Sequence, residues 1–141
     1  MGGYVISEVH VTTRPIAIVR DRARPANLVE KILGQSSLVW DFLKSGKCNT
    51  KSTGHNVVVY HGCGTDDGLA GEFTIEVGAQ VVAPFIASGQ VECSNTPGGI
   101  VATTIHIGPY ARLNEAHHAI RDWCRQNNRP ITGTNWEVYG H

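Results

Sequence analysis

The chain is short of the features that would place it in a class at sight. It has four cysteines, Cys48, Cys63, Cys93 and Cys124, but no C-x-x-C pair. Neither a zinc ribbon nor a disulfide framework is suggested, and the thiols read as reduced packing or surface residues. No sign of charge is in excess: 12 Lys and Arg stand against 12 Asp and Glu, with no basic stripe to follow a phosphate backbone. That argues against nucleic-acid binding by this chain alone. No apolar run approaches the roughly 20 residues that span a bilayer. The opening MGGYVISEVH lacks the charged start and apolar stretch of a signal peptide, and Ile6 stands where a myristoylation pattern wants Ser or Thr. The expected location is the cytoplasm, with no membrane partner.

Catalytic signatures are missing too. There is no G-x-S-x-G, no recognisable Cys and His arrangement and no phosphate loop. Of seven histidines only His117 and His118 are close in sequence, and neighbours on a helix point about 100° apart, a poor way to chelate one ion. No metal and no cofactor is expected.

What is present is one domain's worth of periodic sequence, residues 1–141. YVISEVHV (4–11) and RPIAIVRDR (14–22) alternate as strands do. After Pro25 the spacing changes to threes and fours: Leu28, Val29, Ile32, Leu33, Val39, Trp40 and Leu43 mark an amphipathic helix that ends near Gly46. HNVVVYHGC (55–63) and EFTIEVGAQVV (72–82) read as two strands of a hairpin joined by the glycine-rich turn 64–71. A connecting stretch, 83–99, precedes the strand IVATTIHIG (100–108). A second helix follows Pro109, with Leu113, Ala116, Ile120, Trp123 and Cys124 on one face, and Pro130 ends the segment before the last strand in GTNWEVYGH.

This order holds a repeat. GHNVVVY (54–60) and GTNWEVY (133–139) agree at Gly, Asn, Val and Tyr with a constant offset of 79. Duplication, or a chance likeness of short strands, accounts for it. Duplication implies an α+β fold of two β-α-β-β units, about 12–82 and 99–141, related by a pseudo-two-fold axis, with a central antiparallel sheet and two main helices. The second unit then lacks its last strand. An open edge invites association, so a homodimer, or a native chain that continues past His141, is expected to cover it.

The run from Gly98 to His141, with H-x-G-P-Y at 106–110, a helix reaching Trp123 and W-E-x-Y at 136–139, resembles the GyrI-like effector-binding domain. FTIEVGAQV (73–81) and LVWDFL (38–43) sit where that family has similar segments. The family is bacterial, and its domain occurs at the C-terminus of some AraC-type regulators and as small separate proteins. The resemblance implies a groove between the halves, lined by aromatics, with an acid near its centre that attracts cationic, drug-like molecules. The family's acid matches Glu137.

The residues support this independently. Along a strand Glu137 and Tyr139 share one face and Trp136 and Val138 the other; Val58 and Tyr60 are the first-half counterparts. A carboxylate taken partly from water without a partner should have a raised pKa. An organic cation would relieve the cost, with about 0.5–2 kcal/mol from each aromatic face. The plain alternative is a solvated Glu137, or one paired with Arg112 or Arg129. Tyr110, where the second helix begins, is a candidate wall or a packing residue. Trp40 and Trp123 lie on apolar faces as core residues do; of the two, the resemblance favours Trp40 as a wall.

Two functions follow. One is a binding module for amphipathic cations, using Glu137, Tyr139, Tyr110, Tyr60 and Trp40, with a transcription-regulator partner, since neither helix is paired as a helix-turn-helix requires. The other is a hydrolase of reactive electrophiles, as some GyrI-like proteins are, with Glu137 as general base and Tyr110 or Tyr139 as donor. A purely structural role would explain the open edge but not the acid among aromatics.

Overall fold

Alternating sequence becomes a strand only where a neighbouring edge can take its backbone hydrogen bonds, and the observed elements follow that rule. The computed structural model describes residues 3–62 and 71–140; Cys63 and the expected turn at 64–71, Gly71 apart, lie outside them. In chain order come β1 (Ser7–Val11), β2 (Pro15–Ala23), α1 (Leu28–Lys44), β3 (Ser52–His61) and β4 (Phe73–Val81). They are followed by β5 (Glu92–Asn95), β6 (Gly99–Thr103), α2 (Leu113–Gln126) and β7 (Thr134–Tyr139). Single 3-10 turns, Pro25–Asn27 and Tyr110–Arg112, lead into the two helices. No helix among the described residues is long and apolar enough to cross a membrane.

The fold is mixed α+β with antiparallel pairing throughout. A five-stranded sheet has the order β5-β2-β4-β3-β7, and β1 pairs with β6 in a separate two-stranded sheet. The expected hairpin of β3 and β4 is formed. β5 was not expected: its sequence ECSN has no alternation of apolar residues, and its strand form follows from the free edge of β2 beside it. β6 is shorter than the expected 100–108, because among the described residues only β1 pairs with it and that pairing runs from Thr103 to Gly99.

α1 packs on β2 and β4. Val39 is completely buried against Ala17, Val19, Ala79 and Val81, with Phe85 and Val91 closing one end. Leu28 and Ile32 cover Phe73, Ile75 and Val77 at the other. Val29 and Leu33, expected on the buried stripe, instead face solvent at 70% and 68% exposure. The position between these stripes goes to Gln35, whose amide donates to Asp21 from within the interface. Ile16, Ile18, Val57 and Val59 form a second cluster with Trp136. On the same side Glu76 is buried beside His61 Nε2 at 2.5 Å and Arg20 at 3.6 Å. Cys48, Cys93 and Cys124 are free thiols.

Candidate ligand site

β7 lies at the edge of the large sheet, paired among the described residues only with β3. Its register sets Glu137 opposite Val58 and Asn135 opposite Tyr60, so Tyr60 reaches Glu137 diagonally from the next strand. Tyr139, two residues on, stands on the same face. α2 brings His117 down onto that face.

The four side chains form one hydrogen-bonded cluster. The hydroxyls of Tyr60 and Tyr139 donate to Glu137 Oε1 at 3.0 and 2.5 Å. His117 Nε2 lies 2.6 Å from Oε2, which an ionised carboxylate accepts only if that nitrogen carries the proton. The Tyr60 and His117 rings meet edge to face at 6.4 Å, and Tyr110 meets Tyr139 edge to face at 5.6 Å. The Glu137 side chain is 11% exposed.

Burial alone would raise the Glu137 pKa. The hydrogen bond from His117, the one from Tyr139, the His117 charge and the Tyr60 hydroxyl outweigh it and hold the carboxyl below the usual value. The expectation of an unpartnered acid with a raised pKa is therefore wrong, because three donors surround it. Burial, and then the charge and hydrogen bond of Glu137, push the Tyr139 phenol far above its ordinary value, so it stays a donor. Neither suggested arginine is the partner: Arg112 holds Glu115 at 2.9 Å and Arg129 holds Glu8 at 2.6 Å. Among the described residues no Arg or Lys forms an ion pair with Glu137, in contrast to Glu76.

A cavity of about 900 Å³ opens beside the cluster, between β6 with its continuation to Ile107, the inner face of α2 and the segment 130–140. Glu137, Tyr139, Tyr60 and Tyr110 all line it, and so does His117. Its other strong charge is Arg121, whose guanidinium contacts His118 Nδ1 at 3.2 Å. Trp40 does not belong to it. Its indole N–H donates to Asn56 Oδ1 at 2.6 Å and its ring packs on the core under α1.

His117 is the member that sequence reading missed. The 100° between helix neighbours that argues against a His117 and His118 chelate also sends one inward and one outward. The signal was its spacing, since Leu113, His117, Ile120 and Cys124 recur at threes and fours. Among the described residues no three His, Cys, Asp or Glu side chains gather to hold a metal. The site can present a carboxylate, hydrogen-bonded by His117 and two tyrosines, to a cavity lined by both apolar and polar side chains. As a general base it is poorly tuned, since that task favours a carboxyl lifted toward neutrality.

No family model and no curated protein sequence matches the chain. Among the solved structures that share its fold are two of EcmrR. The C-terminal domain of EcmrR superposes with a TM-score of 0.73 at 18% identity, over 97% of this chain and 84% of that one. A cryo-EM structure of EcmrR in complex with DNA gives 0.75 at 15% identity over 96% of this chain. This chain spans 49% of that longer one.

Proposed function

We propose that this chain is a GyrI-like effector-binding module that takes amphipathic, cationic, drug-like molecules into the cavity beside Glu137 and acts in a regulatory setting. The observation that carries the reading is a buried carboxylate, held ionised by His117 and two tyrosines and in no ion pair with Arg or Lys among the described residues, at the wall of a cavity of about 900 Å³ that Arg121 also lines. Removed from water, such a charge attracts a cation more strongly than an exposed one. Tyr110, 66% exposed and edge-on to Tyr139, offers its face to the same guest. Recognition by charge and apolar shape tolerates many ligands of one class. The shared fold with a domain of EcmrR, a protein solved in complex with DNA, supports the regulatory setting, with DNA contact made by another domain or chain.

The test is discrimination by charge. Tryptophan quenching on titration with rhodamine 6G, a lipophilic cation, is expected to saturate, while an anionic xanthene dye of similar size gives no saturable signal. Equal binding of both dyes, or of neither, contradicts the proposal.

A further inference from the structure

We propose that the guest of this cavity is a zwitterion, an amphipathic molecule whose cationic centre lies at Glu137 and whose carboxylate pairs with Arg121. The inference rests on the ligand reading above and narrows its substrate class.

α2 serves both ends of the site. Leu113, His117, Ile120, Arg121 and Cys124 all line the cavity, because residues three and four apart share one face of a helix. His117 Nε2 lies 2.6 Å from the Glu137 carboxylate. Arg121 follows one turn later, about 6 Å along the helix axis. Among the described residues Arg121 and Glu137 form no ion pair, since His117 is the partner of that carboxylate. Two opposite charges therefore line one cavity without being paired to each other.

Arg121 is short of acceptors. Its Nε is buried and has no hydrogen-bond partner, and a buried N–H left unpaired is costly. Its one hydrogen bond among the described residues is the 3.2 Å contact of Nη2 with His118 Nδ1. The acids beside it on α2 are engaged elsewhere, Glu115 with Arg112 and Asp122 with Arg125. A guanidinium presents its N–H donors in a planar fork that matches a carboxylate. Turned from His118 onto a guest's carboxylate, it exchanges an uncharged acceptor for a charged one. A simple monocation leaves that need unmet, and it also meets the repulsion of a second positive charge in the same cavity. A zwitterion answers both charges, while Ile120 and Ile131 give its body an apolar wall.

The test compares rhodamine 6G, which is an ethyl ester, with its free acid, by dye anisotropy at neutral pH and identical salt. The two share one xanthene cation, and only the acid adds a carboxylate. Wild type is expected to bind the acid about fivefold to fiftyfold more tightly than the ester, between the effect of an exposed ion pair and that of a buried charged hydrogen bond. Arg121→Met, checked by circular dichroism to be folded, should weaken the acid and tighten the ester, so that the preference disappears. Glu137→Gln should weaken both dyes and keep their ratio. Equal affinities in wild type, weaker binding of the acid, or a preference that survives in folded Arg121→Met overturns the inference, and saturable binding of rhodamine 6G then leaves the cation reading standing. If neither dye binds, both fall.

Discussion

Val58 and Glu137 stand directly opposite each other where β3 pairs with β7, and they hold the same position in the matched segments GHNVVVY and GTNWEVY. The pairing is centred on them: exchanging the two segments maps the register onto itself. Reading the match as a duplication, we place the pseudo-two-fold axis between these side chains. One partner is buried hydrocarbon and the other a carboxylate with three donors, so the polar cluster breaks the symmetry at its centre.

Replacing Glu137 tests how tightly that cluster is built. A glutamine can accept from the tyrosines or from His117, but its amide nitrogen cannot accept at all. Glu137→Gln is therefore expected to cost about 1–3 kcal/mol at neutral pH, the usual cost of leaving a buried donor unpaired, read as a lower urea midpoint.

That loss should depend on pH. The Glu137 pKa is lower in the fold than the ordinary 4.5, so on acidification the unfolded chain takes up the proton first. The stabilisation is whole above about pH 4.5 and is lost as the pH falls through the lower folded value. The gap between wild type and Glu137→Gln should narrow between pH 6 and pH 3, in urea titrations at each pH. A constant gap would contradict the assignment.

His117 is held to be the chief donor against burial. His117→Phe keeps a ring in its place and removes the hydrogen bond and charge, so the Glu137 carboxyl should titrate at higher pH than in wild type. The carboxyl-carbon NMR shift of Glu137 against pH reports this directly.

Trp40→Phe should separate core from cavity. It removes the N–H to Asn56 but keeps a ring against the core, at a cost of about 1 kcal/mol. Rhodamine 6G affinity, followed by dye anisotropy, should not change.

Gly78 of β4 has the β2 backbone where a side chain would go. A Cβ there would lie 1.8 Å from the Ala17 carbonyl oxygen and 3.0 Å from Ile18 Cα, and backbone cannot swing aside as a side-chain tip can. Gly78→Ala should cost about 3 kcal/mol, at the upper end for overpacking, and lower the thermal midpoint.

Much of this architecture was legible in the sequence, because β2, β3, β4 and β7 carry their alternation on the chain and α1 and α2 their spacing of threes and fours. Elements defined by a neighbour were not. β5 is a strand only because β2 offers an edge, and residues 104–107 are not a strand despite a strand's pattern because none of the described residues pairs with them. At the candidate site, strand alternation put Glu137 and Tyr139 on one face, and Tyr60 followed from the repeat. His117 did not, since its role depends on which way α2 is turned. Trp40, whose apolar helix face read as core, was set at the cavity wall by the resemblance alone, and it packs on the core.

The central claim is that the Glu137 charge selects the guest. The most direct measurement is the Kd of rhodamine 6G for wild type and for Glu137→Gln under identical salt and pH. Loss of one buried charge pairing, about 1.5–3 kcal/mol, predicts binding weaker by about tenfold to a hundredfold in a variant that remains folded. An unchanged Kd in the folded variant would contradict the account.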